Sequence, residues 1–552
     1  MPAALSPVPA TQTAIQLTGP DQLSVNAAKP VHRPGPRQIL GKVECVGLCF
    51  SDMKLLHQFD QHARKTPVMA HLAESVLKEI PSYVPGGKPT VPGHEVVLRV
   101  VEVGPGVTSV KPGGRYLVQA DWRELKTAKS NGAFGYNFEG GLQQYVLLDE
   151  RTTISSDGVS YLMPVPEDRS ASQLALVEPW ACVEQAFIHK ERQSLKPGGT
   201  ILLVTSSGAK PVFRGMDFSK TAKRLCLGSN TAPEGFISVR PEDLKPGSID
   251  DLLFAGGDAA LLESVVPLLA TDSLLVIAQC GQRFLRPVQS PLGRIHYGGV
   301  RVCGDPESGF REAMRTIPVS GEVRPHDHAH VIGAAGPMGS MAVIRLLFLD
   351  TPGLSVEGID RNVGRLAVLR PKAEALSAQR GVPLRIVDIH KEHREEQASY
   401  HMIMVPVPEV VAECVRDSRR GGIINIFAGI PSDVVGPLDL DAFCAKHLYF
   451  IGTSGSTMED MEAVLGKVLG DRLDTNLSVG AVCGMGGAIA GLEAVKDGKI
   501  AGKVLVYPDL GDFPLTTLEE LAAQYPSVAP KLVNGCWTRD AESELLRVAG
   551  KS

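Results

Sequence analysis

A cysteine, a histidine and two glutamates in the first third of the chain are the residues whose types point most clearly to chemistry. Cys49 precedes a Gly-His-Glu run that contains His94 and Glu95, and Glu178 stands before a proline. A thiolate, an imidazole and carboxylates are groups that bind Zn²⁺ tetrahedrally, and an exchangeable fourth position makes such a site catalytic. These residues predict a zinc site that activates an alcohol or a carbonyl group. A core Cys49 and a His94 held in a turn are the alternative, because either residue alone is usually structural.

The order and local sequence of these residues resemble the zinc-dependent medium-chain dehydrogenases, in particular their polyol and sugar dehydrogenase branch. The resemblance covers residues 38–200 and 325–510, roughly, and its glycine-rich runs are most similar to polyol dehydrogenases and ketose-phosphate reductases. It implies that Cys49 and His94 are zinc ligands. It also implies that Glu95 and Glu178 complete the coordination shell or exchange within it.

The residues that follow Cys49 match the Ser/Thr-Asp pair of that family. The resemblance implies that Ser51 hydrogen-bonds the substrate oxygen and passes its proton, and that Asp52 orients a metal ligand. Many relatives have a histidine as the outer end of this relay, but here the position is Lys54, whose ammonium accepts no proton until it has lost one. His57 is the other candidate for that role, and Glu95 is a further candidate catalytic residue.

The composition excludes several classes of function. The chain has 552 residues, 21% of them charged, and a formal net charge of −5 without a long basic run, which does not favour nucleic acid or an anionic membrane. No stretch approaches the roughly 20 apolar residues of a membrane span, and the first 40 residues lack the pattern of a signal peptide. We expect a cytoplasmic protein.

The ten cysteines are scattered and form no Cys-x-x-Cys pair, which argues against a disulfide framework. Members of the family often carry a second, structural zinc on closely spaced cysteines after the Gly-His-Glu region. Residues 121–147, where these would lie, contain no cysteine. We therefore expect one catalytic Zn²⁺ per chain.

The segment between Cys49 and His94 is about twice as long as is usual in the family. Its surplus, residues 59–90, includes a predicted amphipathic helix over 69–80 and a loop rich in proline and glycine. Because it is tethered between two predicted ligands, we expect it to border the substrate pocket. A surface excursion is the alternative.

The predicted fold class is α/β. Short strands over 38–120 fit the β-rich, GroES-like catalytic domain that the resemblance implies. From residue 199 onward, apolar strands alternate with helical segments, which is typical of a doubly wound parallel sheet. This pattern occurs twice, because the predicted strand at 201–208 resembles that at 330–336 and the predicted strand at 251–255 resembles that at 401–405. We interpret it as two tandem Rossmann-like units; a single sheet with a long insertion is the alternative.

This interpretation gives a domain organisation in four parts. They are an N-terminal extension (1–37), a catalytic zinc domain (38–195, completed by 485–552), a degenerate Rossmann-like unit (196–322) and an NAD-binding Rossmann domain (323–484).

A glycine-rich turn between a strand and a helix in the second unit predicts a dinucleotide site. Gly333, Gly336 and Gly339 permit a tight turn, close approach of the backbone to a pyrophosphate and close packing of helix on sheet. Pro337 and Met338 complete the turn at the helix N-terminus, where backbone N–H groups point at the phosphates.

Asp360 ends the next predicted strand, and members of the family bind the adenosine ribose with the residue at this position. A carboxylate there accepts hydrogen bonds from the 2′- and 3′-hydroxyls and repels a 2′-phosphate, so NAD is favoured over NADP. The adjacent Arg361 keeps NADP possible. The resemblance further assigns Ala428 and Thr453 to the turns around the nicotinamide.

Two other sequence features are interpreted as structural. The turn at 206–211 in the first unit has a proline and too few glycines for a dinucleotide, so we interpret it as a spacer or a subunit contact. Closure over the substrate or binding of a second ligand is the alternative. The run from His326 to His330 has alternating histidines that lead into a strand, which we interpret as one solvated strand face rather than a metal site.

These features predict a zinc-dependent oxidoreductase that interconverts a secondary alcohol and a ketone on a polyol, sugar or sugar phosphate with NAD(H). One alternative is a lyase or epimerase that uses tightly bound NAD for transient oxidation of a sugar. The other is a binding or assembly protein that has kept the fold and lost catalysis. We expect a small-molecule partner and a homo-oligomer, either a dimer or a tetramer.

Overall fold

The structure is a computed structural model that describes residues 7–227, 232–392 and 397–550. The chain divides into two compact units: unit 1 comprises Met1–Cys182 and Ser456–Ser552, and unit 2 comprises Val183–Gly455.

The strands of the described residues are β1 Thr11–Gly19, β2 Gln22–Pro30, β3 Gln38–Gly47, β4 Glu95–Val103, β5 Arg115–Val118, β6 Asp121–Lys126, β7 Asn131–Ala133, β8 Tyr145–Asp149, β9 Leu162–Pro164, β10 Thr200–Thr205, β11 Lys223–Leu227, β12 Ile237–Val239, β13 Ile249–Ala255, β14 Leu269–Ala278, β15 Val288–Ser290, β16 Arg301–Asp305, β17 His328–Ile332, β18 Ser355–Asp360, β19 Leu384–Asp388, β20 Ala398–Ile403, β21 Ser418–Ile426, β22 Gly436–Leu438, β23 Tyr449–Ile451, β24 Val479–Cys483, β25 Lys503–Val506 and β26 Thr516–Thr517.

The α-helices of the same residues are α1 Phe50–Gln58, α2 Glu74–Lys78, α3 Glu150–Thr153, α4 Ala171–Ala175, α5 Val177–Ile188, α6 Ala259–Val265, α7 Leu292–Tyr297, α8 Phe310–Met314, α9 Pro337–Leu347, α10 Val363–Arg380, α11 Pro408–Asp417, α12 Leu440–Ala445, α13 Met458–Leu469, α14 Ala488–Lys496, α15 Leu518–Gln524 and α16 Arg539–Ala549.

Unit 1 is built on a sheet with the strand order β26-β24-β25-β3-β4-β5-β9, in which β8 also pairs with β3. Its pairs are antiparallel except for β24 with β25. The valine-rich β4 is buried along most of its length, as expected for a continuous apolar run bounded by turn residues. The core of this unit therefore fixes β3 and β4, the two strands that lead to the predicted zinc ligands.

The N-terminal residues pack on the same unit. β1 and β2 form an antiparallel hairpin. The backbone N–H of Ile15 donates to the carbonyl of Leu142, and that of Leu17 to the carbonyl of Thr90, both at 2.8 Å. The segment predicted as an N-terminal extension thus adds to the core of unit 1.

The segment at 59–90 is less helical than its sequence pattern predicts. Only α2 forms in place of the predicted helix over 69–80, because His71 has a left-handed backbone with φ 74° that a helix cannot include. The buried ammonium of Lys65 donates to the carbonyls of Val84 and Lys88. These hydrogen bonds link the first part of the segment at 59–90 to its last part. Burial lowers the pKa of Lys65 to about 7.

Unit 2 contains a 12-stranded sheet with the order β12-β11-β10-β13-β14-β16-β23-β21-β20-β17-β18-β19. The central pair, β16 with β23, is antiparallel, whereas the other neighbours are parallel. The first half of this sheet consists of β10, β11, β12, β13, β14 and β16, and the second half consists of β17, β18, β19, β20, β21 and β23. If the six strands of each half are numbered by their order along the chain, both halves have the order 3-2-1-4-5-6, which is typical of Rossmann folds. This order is compatible with the two tandem Rossmann-like units predicted from the sequence.

The two halves differ after their first strands. α9 follows β17 in the second half, whereas residues 206–222, all of which the structure describes, contain no helix after β10. An aromatic cluster packs this irregular stretch instead, with ring centroids 5.5–6.2 Å apart; it consists of Phe213, Phe218, Phe236 and Phe310. The first half therefore lacks the helix N-terminus on which a pyrophosphate would rest.

All ten cysteines are free thiols. Among the described residues, no helix has the length and apolarity needed to cross a membrane.

A buried carboxylate joins the C-terminal helix α16 to the core of unit 1. Glu542 accepts hydrogen bonds from the backbone N–H groups of Ala171 and Ser172, at 2.7 and 2.8 Å, and from the Tyr507 hydroxyl at 2.8 Å. The two N–H groups open α4, which packs on β3 and β4. Glu542 thus supports the strands that carry the predicted ligands.

We expect Glu542→Ala to lower the free energy of unfolding by about 3 kcal/mol, because it leaves two buried N–H groups and a buried hydroxyl without their charged acceptor. Chemical denaturation followed by intrinsic fluorescence measures this loss. The exposed Glu519→Ala is the control and should change stability by no more than about 0.5 kcal/mol. Equal stabilities of the two variants would contradict the assignment.

Candidate active site

Pairing between β3 and β4 brings the two predicted zinc ligands together. Gly47, the last residue of β3, lies opposite Glu95, the first residue of β4. Cys49 follows β3 by two residues and forms the N-cap of α1, and His94 directly precedes β4. The sheet register therefore places Cys49 beside His94 although the segment at 59–90 separates them in sequence.

The ligand atoms of Cys49, His94 and Glu95 lie within 4.8 Å of one another. The hydroxyl of Ser51 lies between two of them, since its Oγ donates to the Cys49 Sγ at 3.1 Å and is 3.2 Å from the His94 Nε2. His94 and Glu95 are buried, while Cys49 is partly exposed. A soft thiolate, an imidazole nitrogen and a carboxylate oxygen thus converge on one point, which is the donor set of a zinc site.

Asp52 orients this cluster. Its Oδ1 lies 3.0 Å from the His94 Nδ1, and its Oδ2 accepts a hydrogen bond from the backbone N–H of Cys49 at 3.2 Å. Asp52 is fully buried. When the Nδ1 of His94 donates to this carboxylate, the Nε2 keeps the lone pair that a metal requires. The structure therefore agrees with the orienting role predicted for Asp52.

The surroundings of Glu95 fit a cation. Its Oε1 forms a buried ion pair with Lys503, whereas its buried Oε2 has no hydrogen-bond partner among the described residues. A Cβ at Gly47 would overlap that same Oε2, so only glycine at this position leaves room for the carboxylate. A buried carboxylate oxygen without a hydrogen-bond partner is costly, and a bound metal ion would satisfy it.

Glu178 lies in the first turn of α5 and outside the group of three converging ligands. Burial raises its pKa to about 7; the nearby His94 opposes that rise and the Glu95 carboxylate adds to it. Burial also raises the pKa of the neighbouring Cys182 thiol. Glu178 is therefore close enough to the cluster to interact with it electrostatically.

Three residues that the sequence analysis did not name lie beside the cluster. The Tyr136 ring is 5.7 Å from the His94 ring and 5.1 Å from that of His62, and the Arg64 guanidinium lies 5.3 Å from the centroid of the same tyrosine. Arg64 also pairs with Asp121 at 2.8 Å. His62 and Arg64 both belong to the segment at 59–90, whose unusual length was the only sequence signal for them.

Charges near His62 keep its ring neutral. Burial, and then the positive charges of Arg64 and Lys54, lower the pKa of His62 to about 4. This side of the site therefore presents a neutral imidazole, a phenol and a guanidinium.

The structure does not bring His57 to the cluster. Its side chain is 80% exposed and its Nδ1 pairs with Asp21 at 3.1 Å. His57 occupies the last turn of α1, so its ring points into solvent while Ser51 and Asp52 in the first turn face the ligands. The geometry therefore gives no support to the relay role predicted for His57.

In unit 2, the glycine turn has the geometry of a phosphate loop. Gly333 follows β17 with φ 88°, and Gly336 is the N-cap of α9, whose first two residues are Pro337 and Met338. A Cβ at Gly339 would overlap the carbonyl oxygen of Gly333, so glycine is required for this close packing of helix and turn. Gly333 and Gly339 thus permit the tight turn and the close helix packing, and the turn could accommodate a pyrophosphate at the start of α9.

Asp360 ends β18 beside this turn. Its Oδ2 accepts from the backbone N–H of Ala335 at 2.9 Å, and its Oδ1 accepts from those of Arg361 and Asn362 at 2.8 and 2.9 Å. The carboxylate is thus held next to the glycine turn, as a ribose-binding acidic residue must be. The Arg361 side chain is exposed.

Ala428 and Thr453 follow β21 and β23, so they lie at the same carboxyl edge of the sheet as the glycine turn. Ligands of open α/β sheets bind along this edge. The Thr453 Oγ1 is buried without a hydrogen-bond partner among the described residues, which fits a group that contacts a ligand.

Comparison with known proteins finds relatives among the alcohol and sorbitol dehydrogenases. The family model of the alcohol dehydrogenase GroES-like domain matches residues 35–157. L-sorbose 1-phosphate reductase from Klebsiella pneumoniae is 26% identical over 238 residues, which cover 41% of this chain and 56% of that protein. The chain thus spans little more than half the length of this relative.

Sorbitol dehydrogenase from Sus scrofa is 36% identical over 86 residues, 16% of this chain and 68% of that sequence. In fold, 2R,3R-butanediol dehydrogenase from Bacillus subtilis is similar with a TM-score of 0.51 at 16% identity, over 90% of this chain and 100% of that one. The GroES-like match spans the residues that carry Cys49 and His94. The chain belongs to the medium-chain dehydrogenase/reductase family of alcohol and sorbitol dehydrogenases.

Proposed function

We propose that this protein is a zinc-dependent oxidoreductase that interconverts a secondary alcohol and a ketone on a polyol, sugar or sugar phosphate, with hydride transfer to or from NAD(H). The observation that carries the proposal is the convergence of Cys49, His94 and Glu95 around the Ser51 hydroxyl. The similarity to L-sorbose 1-phosphate reductase and to sorbitol dehydrogenase supports the substrate class.

Cys49, His94 and Glu95 would hold the zinc ion, with Glu178 as the carboxylate that exchanges into its shell. When bound, zinc supplies a Lewis acid for the substrate oxygen, and NAD supplies the acceptor or donor of the hydride. Asp52 keeps the His94 ring in the tautomer and orientation that a ligand needs. Lys503 compensates the charge of Glu95 within the buried site.

Ser51 would exchange the proton of the substrate hydroxyl. Its Oγ lies within about 3 Å of two ligand atoms, so an oxygen held at the same centre is within its reach. Burial raises the pKa of the Tyr136 phenol, and the nearby Ser51 hydroxyl opposes that rise. We therefore assign the next step of the relay to the Tyr136 hydroxyl in place of His57.

The glycine turn and Asp360 would hold the dinucleotide. The start of α9 offers N–H groups to the pyrophosphate, and the Asp360 carboxylate would accept from the ribose hydroxyls. A 2′-phosphate beside this carboxylate would be repelled, which favours NAD over NADP.

The direct test of the function is a substrate screen of the zinc-replete protein with NAD, followed by NADH absorbance. We expect net NADH from one class among polyols, sugars and sugar phosphates. Product without net NADH would instead indicate transient oxidation by bound NAD, as in a lyase or epimerase. The absence of any turnover would favour a binding protein.

We expect Cys49→Ser to abolish turnover and to remove one metal equivalent per chain, because a hydroxyl is a much poorer zinc ligand than a thiolate. Binding of NADH should change less than about twofold, since its residues lie in unit 2. Elemental analysis and fluorescence titration measure both. Cys280→Ser, at a partly exposed thiol of unit 2, is the matched control. Retained activity of the Cys49 variant would remove the metal from the mechanism.

We expect Asp360→Ala to weaken NADH binding about 10- to 100-fold, the equivalent of one or two hydrogen bonds to a charged acceptor. NADPH binding should weaken less, so the preference for NADH over NADPH, measured as the ratio of the two dissociation constants, becomes smaller. Asp360→Asn removes the charge but keeps one acceptor oxygen for part of the turn N–H groups. An unchanged ratio in both variants would mean that another residue reads the ribose.

A further inference from the structure

Two histidines and a glutamate form a second converging group in unit 2, away from the predicted cofactor site. His328 and His330 are the first and third residues of β17, so they project to the same face of the sheet. Glu357 of β18 lies directly opposite His330 in the parallel register. The glycine turn begins after the carboxyl end of β17, at Gly333, whereas this group lies towards the amino end of the strand.

The geometry of the group is compact. The Nε2 atoms of His328 and His330 are 3.1 Å apart, and the His330 Nε2 lies 3.9 Å from the Glu357 Oε1. One ligand atom from each residue lies within 4.8 Å of the other two. His330 and Glu357 are buried, at 0% and 1% exposure, while His328 is partly exposed. The interpretation of this run as a solvated strand face is therefore wrong, because the sheet buries His330.

Neighbouring side chains hold two of the three residues in a ligating orientation. The His328 Nδ1 lies 2.8 Å from the Ser355 hydroxyl, an arrangement that directs the His328 Nε2 towards His330. Arg385 donates to the Glu357 Oε2 at 3.0 Å, while the Glu357 Oε1 lies 3.9 Å from the His330 Nε2. Metal-binding histidines and carboxylates are held in this way by their outer partners.

We propose that His328, His330 and Glu357 form a second metal site, which binds one divalent transition ion of the zinc class. Bonds of about 2.0–2.1 Å in a tetrahedral shell separate neighbouring ligand atoms by about 3.3 Å. The observed separations of 3.1 and 3.9 Å bracket this value. Two imidazoles favour zinc, cobalt, nickel or copper over magnesium or calcium, which prefer oxygen ligands.

The partly exposed side of His328 provides the open position, which water would fill. The site is structural in character, because it joins β17 to β18 towards their amino ends. It would stabilise the two strands that carry Gly333 and Asp360 at their other ends. The alternative is a metal-free network in which one imidazole donates to the other.

The test is the metal content of the full-length protein, stripped with a chelator, loaded with Co²⁺ and desalted. We expect wild type to retain one cobalt ion more than His328→Asn. His328→Asn should keep the thiolate-to-cobalt absorption of the Cys49 site. Cys49→Ser should lose that absorption and keep the ion bound by His328, His330 and Glu357.

Two further variants guard against a folding defect. Glu357→Gln keeps the size of the side chain and should likewise lose one ion, and Ser355→Ala keeps all three ligands and should weaken affinity about 10- to 100-fold. The control is the exposed His326→Asn, two residues from His328 and outside the group, which should keep wild-type cobalt content.

Equal cobalt content in wild type, His328→Asn and Glu357→Gln would overturn the proposal and favour the metal-free network. This outcome is independent of the proposed function, because loss of the Cys49 thiolate absorption reports on the catalytic site alone. Failure of one site to bind cobalt therefore leaves the other assignment intact.

Discussion

The register between β3 and β4 is the constraint on which the candidate active site depends. It sets Gly47 opposite Glu95, so the residues that continue from one strand and lead into the other meet at a single edge. Because the two strands are buried, a slip of one residue would turn their apolar side chains outwards. The segment at 59–90 can then be long without moving Cys49 away from His94, and its extra residues supply His62 and Arg64 beside the site.

Charge balance is the second condition for this site. Buried carboxylates are costly unless they are paired, and Glu95 and Glu178 lie in the same buried region as the Cys49 thiol. Lys503 compensates one of these charges: burial acts to lower its pKa, but the Glu95 carboxylate raises it above its ordinary value. The remaining negative charge and the Oε2 of Glu95 are what a divalent cation would neutralise.

Local patterns in the sequence predicted the residues that carry chemistry better than they predicted their neighbours. Cys49, His94 and Asp360 stand in short motifs next to strands, so position in the chain was enough to predict that they lie at the ends of neighbouring strands. Tyr136 and Lys503 reach the site only through tertiary packing, and no local pattern marks them. The exposure of His57 at the end of α1 and the burial of His330 in the strand β17 both depend on the tertiary structure, so no local pattern predicts them.

The doubled sheet of unit 2 gives a physical role to a half that lacks a phosphate loop. β23 has only three residues, and as an edge strand it would expose unpaired backbone groups. β16 from the first half pairs with its other side, so the sheet continues through it. Thr453 follows β23 by two residues, at the carboxyl edge that carries the glycine turn. The first half therefore fixes the strand that presents Thr453, and it can do so without binding a dinucleotide itself.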